Sequence, residues 1–163
     1  MSWLGGMLVG TVGYAALQSL STPLLMARPT PKGLHFARRI LIASDGLDGS
    51  DRVVELAGRL AREREAGVIL LHADGAESPT RPPGIQAQAD ALESALPGRS
   101  EVVLEPGPAR ETIVETAGGM GASLIAIGSR LRDGLRALGS VSRRVVHDAP
   151  CSVLLVPPED LPG

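Results

Sequence analysis

The stretch that decides the fold is SLIAIGSRLRDGLRALGSVSRRVVHDAPCSVLLVP, which runs from Ser123 to Pro157. Its two short apolar runs, Leu124–Ile127 and Ser152–Val156, predict strands buried inside a parallel sheet that is covered on both faces. Between them, a loop rich in glycine and arginine leads into a helix that opens at Gly139-Ser140. Because the free N–H groups of a helix start attract anions, this order predicts a phosphate site. A solvated basic loop on an ordinary α/β domain is the alternative.

Working outward, strands and helices alternate along residues 39–157. Further apolar runs at Ile40–Ser44, Val68–Leu71 and Glu101–Leu104 predict three more strands, each followed by a helical pattern. Five such alternations are typical of a parallel sheet with right-handed crossovers. We therefore predict an α/β domain with a five-stranded, parallel, Rossmann-like, doubly wound sheet. If its strand order is 3-2-1-4-5, the order reverses between strands one and four.

In a sheet of this order, ligands bind at the carboxyl ends of the strands where the order reverses, here between strands one and four. Asp45 and Gly128 follow or close those two strands, so both are predicted to line one crevice. The carboxylate of Asp45 suits a ribose hydroxyl or an adenine amino group. Alternatively, Asp45 caps the helix that follows it.

Residues 2–27 carry no charge, and a helix needs about 20 apolar residues to cross a bilayer. The basic residues that follow would place the rest of the chain in the cytoplasm. We predict a membrane anchor over residues 1–27, a basic, proline-containing linker over 28–38, a folded domain over 39–157 and a tail over 158–163. Three alternatives remain for the first segment: it lies on a surface, it results from a mistaken upstream start codon, or it is a helix docked on a partner protein. The alternative location of the protein is then the cytoplasm.

Composition excludes several functions. Residues 40–163 carry 12 of the 16 basic residues and all 18 acidic ones, a net charge of −6, which argues against nucleic-acid binding. The single cysteine, Cys151, excludes an internal disulfide and argues against a structural zinc site. It is expected to be a small buried hydrophobic residue. The three histidines are scattered and are expected on the surface or in packing, so no metal site is predicted.

Several segments resemble the universal stress protein family over Arg39–Pro157. They are, in order, RRILIASDG, VILLHA, EPGPARETI, ASLIAIGSR, LGSVSRRV and HDAPCSVLLVP. Each segment is weak by itself, but the order and spacing of the set are specific. The first 38 residues lie outside the resemblance and form a separate hydrophobic extension.

The family divides into members that bind ATP and members that do not, according to the glycine pattern G-x2-G-x9-G-[S/T]. Here Gly128 and Gly139-Ser140 fit its ends, but Leu131 replaces the second glycine and seven residues, rather than nine, separate it from Gly139. The loop therefore either still cradles phosphate or blocks it. The resemblance implies ATP or another adenine nucleotide as ligand, with Mg²⁺ only alongside the nucleotide. The site residues carried over are Ala43 and Asp45 on the base or ribose side, Ala73 at the adenine wall, and Ile127, Gly128, Arg130, Gly139, Ser140, Val141 and Ser142 around the phosphates.

By resemblance, the chain is expected to be a nucleotide-responsive regulator of stress responses, tethered to the cell membrane and acting on a membrane protein partner. A dimerisation or scaffold module with no ligand is the alternative, and a weak ATP hydrolase is a minor one. No enzymatic activity is predicted. The sequence offers Asp48, Ser140, Ser142 and His147 as reactive side chains, but their spacing matches no known catalytic arrangement. The family commonly dimerises through the last strand, here Ser152–Val156, which is predicted to be an apolar edge strand.

Overall fold

The computed structural model describes residues 22–75, 77, 80–129 and 139–158. Within these ranges the chain forms six strands and four helices. The strands are β1 (Leu24–Met26), β2 (Arg39–Ala43), β3 (Gly67–His72), β4 (Ser100–Leu104), β5 (Leu124–Gly128) and β6 (Ser152–Val156). The helices are α1 (Asp48–Arg64), α2 (Pro83–Ala95), α3 (Ala109–Gly119) and α4 (Ser140–Asp148).

The sheet has the order β1-β6-β5-β2-β3-β4. Strands β2 to β6 are parallel and follow the predicted order 3-2-1-4-5, which confirms the doubly wound α/β fold. The predicted count of five strands is wrong, because β1 adds a sixth that runs antiparallel to β6. As a result, β6 is not the edge strand that the sequence predicted.

Side chains alternate across the sheet and divide the core into two layers. Ile40 and Ile42 of β2 face a layer formed with α1 and α2, whose buried members include Val53 and Ile85. Leu41 and the following alternate residues face a second layer formed with α3 and α4. Burial on both faces explains why the central strands are apolar without interruption. It also leaves the strand ends as the place for a ligand.

Only the last residues of the predicted membrane anchor, residues 1–27, are among the residues that the structure describes. Leu24–Met26, which the sequence assigned to the end of an apolar membrane segment, form strand β1 instead. In the described part of the chain, no helix combines the length and apolar character needed to span a membrane. The rest of the predicted anchor, residues 1–21, lies outside the described residues. The predicted linker is partly packed against the domain, since Ala37 is fully buried.

Candidate functional site

The carboxyl ends of β2 and β5 meet at the point where the strand order reverses. Ala43 and Ile127 are directly paired there, and Gly128 lies opposite Val156 on the other side. The side chains of Ala43 and Ile127 are buried, so these two residues can offer mainly backbone to a ligand. The loop after β2 and the start of α4 flank these strand ends and bring further predicted site residues beside them, namely Asp45, Gly139, Ser140 and Ser142.

The loop after β2 is organised by Asp45. Its Oδ1 accepts a hydrogen bond from the backbone N–H of Leu47 (3.0 Å) and another from the hydroxyl of Ser50 (2.6 Å). Both partners belong to the turn into α1, whose N-terminal cap is Leu47. These contacts are those of the alternative interpretation, in which Asp45 organises the start of the next helix. Its role toward a base or ribose stays a prediction.

Helix α2 packs directly on this loop. Gly46 has a φ of +74°, and a Cβ at Gly84 would clash with the carbonyl oxygen of Gly46. Any side chain at Gly84 would therefore push α2 away from the loop. The helix begins at Pro83, and its first residues are the part that touches the loop.

A buried polar network joins the same loop to α1 and α2. The hydroxyl of Ser44 donates to Oε1 of Gln88 (2.6 Å), and Nε2 of Gln88 donates to Oδ1 of Asp51 (2.7 Å). Gln88 is only 4% exposed, so these bonds satisfy an amide that would otherwise be costly to bury. This network was not predicted from the sequence. Its only local signal is a polar residue on an otherwise apolar helical face.

His72 ends β3 beside the crevice and is also buried. Its Nδ1 lies 3.0 Å from the carbonyl oxygen of Ser44, while its Nε2 is buried without a hydrogen-bond partner in the described ranges. The nearest carboxylate oxygen, Oδ2 of Asp74, is 3.8 Å from Nε2. This histidine therefore packs in the fold, which is one of the two placements expected for the histidines. Ala73, the predicted adenine wall, follows it and is half-buried.

On the other side of the crevice, the start of α4 is held against the end of β5. The hydroxyl of Ser142, which is 2% exposed, donates to the carbonyl oxygen of Gly128 at 2.9 Å. The helix begins at Ser140, as predicted, and its N-cap Gly139 supplies no side-chain hydrogen bond. Because a glycine cap has no side chain, the described residues supply no side-chain cap to the first N–H groups of this helix. The helix start is thus suited to an anion.

Gly128 itself has room for a side chain among the described residues. A Cβ there would meet Cγ2 of Val53 at 3.6 Å and the carbonyl oxygen of Val156 at 3.9 Å, which are ordinary contacts. Its φ is not in the left-handed region that favours glycine. Neither packing nor backbone conformation therefore requires glycine at this position. Close approach of a ligand to the backbone is a use that would require it.

The remaining predicted site residues differ in placement. Ser140 is exposed at the mouth of the crevice, whereas Val141 packs partly against the core layer of α3 and α4. Arg130 and Leu131 lie outside the described residues, as does the rest of the loop up to residue 138. The described ranges contain no group of three or more histidine, cysteine, aspartate or glutamate side chains placed to hold a metal ion.

A groove of about 320 Å³ runs between α1 and α2. Its walls include Val54, Gly58 and Leu92, and it shares Asp51 and Gln88 with the polar network. None of the predicted site residues lines it. The groove is therefore a surface separate from the crevice.

The fold places the chain in the class of doubly wound α/β domains, in which ligands generally bind at the switch point of the sheet. The model of the universal stress protein family matches residues 37–157. Universal stress protein A homolog 2 from Coxiella burnetii is 34% identical over 137 residues, which cover 73% of this chain and 94% of that protein. The chain belongs to the universal stress protein family.

Two solved structures are informative for the site. One is a universal stress protein in complex with cAMP, which is 26% identical with a TM-score of 0.60 and covers 73% of this chain and 95% of its own. The other is the universal stress protein from Archaeoglobus fulgidus in complex with dAMP, which is 25% identical with a TM-score of 0.56 and covers 72% and 96%. The fold and the universal stress protein resemblance predicted from the sequence are confirmed.

Proposed function

We propose that this chain is a stress-response regulator that binds an adenine nucleotide in the crevice between β2 and β5. The observation that carries the proposal is the contact between Gly128 and the first turn of α4. Ser142 fixes the uncapped helix start against the end of β5, beside a glycine that the described packing does not require. Together they provide open backbone N–H groups and close access for one phosphate.

The ligands of the two structural relatives support this ligand class. Both cAMP and dAMP are adenine nucleotides with a single phosphate. A single phosphate can be held by the start of α4 alone, whereas a triphosphate also needs the loop that is two residues short in this chain. We therefore expect AMP to bind at least as tightly as ATP. Mg²⁺ is expected to matter only for ATP, and no catalysis is proposed.

The test is a calorimetric titration of AMP, and of ATP with Mg²⁺, into the full chain, with GMP as the control for the base. The full chain is used because β1 completes the sheet. We expect a Kd for AMP in the micromolar range or tighter, which corresponds to about −8 kcal/mol. Absence of heat and of a thermal shift with every nucleotide would refute the proposal. It would favour the scaffold alternative, in which the glycines serve the fold.

The role of Asp45 needs a variant that leaves the loop intact. Asp45→Ala would remove the acceptor of two loop hydrogen bonds and so confuse folding with binding. Asp45→Asn keeps a side-chain oxygen as acceptor and removes only the charge. If Asp45 accepts from the ribose or the adenine amino group, AMP affinity should fall at least tenfold while the melting temperature stays near that of the wild type. Unchanged affinity would restrict Asp45 to the loop.

Membrane tethering through the uncharged residues that precede β1, with a membrane protein as partner, is a separate part of the proposal. It rests on the uncharged sequence alone. Carbonate extraction of membranes should leave the full chain in the pellet and release a form that starts at residue 22, which keeps β1. The full chain in the supernatant would remove the tether from the proposal, and the nucleotide titration would be unaffected.

A further inference from the structure

The edge of β6 is closed by the chain's own N-terminal strand. Leu24, Leu25 and Met26 of β1 pair antiparallel with Leu155, Leu154 and Val153 of β6, in that order. Leu24 and Met26 also pack against the core layer beneath the sheet, while Leu25 is 44% exposed. Without β1, the unpaired N–H and C=O groups of β6 would form an apolar edge open to another strand.

Arg28 fastens β1 to the domain. Its backbone N–H donates to Oγ of Ser152 (3.0 Å), and the Ser152 hydroxyl lies 3.3 Å from the carbonyl oxygen of Arg28. Its guanidinium donates to the carbonyl oxygens of Val146 and His147 in the last turn of α4. A cation there is also favoured by the helix dipole. One residue thus ties β1 to both β6 and α4.

We propose that β1 is a removable cover that prevents two copies of this chain from pairing through β6. The direction of β1 supports a second copy as the competing partner. Two β6 strands related by a two-fold axis would run antiparallel, which is how β1 runs on β6. The dimer through Ser152–Val156 expected by family resemblance therefore requires β1 to leave. The N-terminal segment, which the family model does not match, controls self-association.

The test combines release of β1 with a reversible lock in the full chain. Arg28→Glu places a carboxylate against the carbonyl oxygens at the end of α4 and should free β1. Cysteines at Leu25 and Leu154, which are directly opposed, would lock β1 when oxidised. The Cβ atoms of opposed residues are about 4.5–5.5 Å apart, close to the span of a disulfide. The native Cys151 is fully buried and should not interfere.

The triple variant is compared in its two redox states by sedimentation. We expect the reduced protein to dimerise at least tenfold more tightly than the wild type, and the oxidised protein to stay monomeric with its disulfide within one chain. The same oligomeric state in both forms would overturn the proposal. So would a disulfide between chains, which would mean that β1 is exchanged between copies. Lys32→Glu is the control variant, since it makes the same charge change at an exposed residue of the same segment.

Discussion

Gly128→Ala is the substitution that best separates ligand binding from folding in this chain. The new methyl group would lie 3.6 Å from Cγ2 of Val53 and 3.9 Å from the carbonyl oxygen of Val156, and neither distance is a clash. Alanine also restricts the unfolded chain more than glycine does. We therefore expect the free energy of unfolding to stay unchanged or to rise by up to about 1 kcal/mol. In the proposed complex, the same methyl group stands where phosphate approaches the backbone.

The expected loss of AMP affinity is at least tenfold, or about 1.4 kcal/mol. Urea denaturation gives the stability, and calorimetry gives the affinity. Gly67→Ala is the matched control, because Gly67 is also a strand glycine, with its nearest neighbour, the carbonyl oxygen of Arg99, at 3.9 Å. Gly67 is the first residue of β3, so it lies at the amino-terminal end of its strand, whereas the crevice is at the carboxyl ends. Gly67→Ala should therefore leave AMP affinity unchanged. Equal AMP affinity in wild type and Gly128→Ala would refute the placement of the phosphate, and a stability loss above about 2 kcal/mol would refute the packing argument.

Three further predictions concern α4 and its surroundings. Ser142→Ala should lower the free energy of unfolding by about 0.5–1.5 kcal/mol, because it removes the hydrogen bond that the buried Ser142 hydroxyl donates to the carbonyl oxygen of Gly128. Urea denaturation checks this, and Ser140→Ala, at an exposed position, should leave the free energy of unfolding unchanged. Burial raises the pKa of Cys151 to about 11, so at pH 8 a maleimide should label the native chain at least about 100-fold more slowly than the unfolded chain. The hydrogen bond from His147 lowers the pKa of Asp148 below its ordinary 3.8, so this carboxylate stabilises the fold above that pH and its contribution is lost as pH falls through the lowered pKa. Asp148→Asn should therefore lower the melting temperature slightly at pH 7, and its difference from the wild type should shrink as the pH falls below 3.8, as measured by thermal unfolding.

The parallel sheet could be predicted because its signals are local and repeated. Each strand from β2 to β6 is a short apolar run between breakers, and the helix that follows each of the first four has an apolar stripe at helical spacing. The order 3-2-1-4-5 follows from the alternation and from the family resemblance together. Strand β6 was placed to the residue at Ser152–Val156, since a proline-cysteine turn precedes it and a proline pair follows it.

The contacts within the site could be predicted only in part. That Gly128 and Gly139-Ser140 flank one crevice follows from the topology. The network of Ser44 and Gln88 joins residues 44 positions apart, and no local pattern marks the two as partners. The same holds for α2, whose N-terminus is positioned by its contact with Gly46 rather than by a capping residue of its own.

Strand β1 shows why the N-terminal boundary could not be found from composition. A run of three apolar residues, Leu24–Met26, fits the end of a membrane helix as well as it fits a strand. A contact with a distant part of the chain decides between the strand and the helix. The backbone N–H of Arg28 donates to Ser152, which is 124 residues away, and this hydrogen bond holds the segment beside β6. A truncated chain that begins at Arg39 would lose both the strand and this bond. The truncated chain would also expose the edge of β6. Self-association of this fragment would therefore be caused by the missing strand β1 and would not describe the full chain.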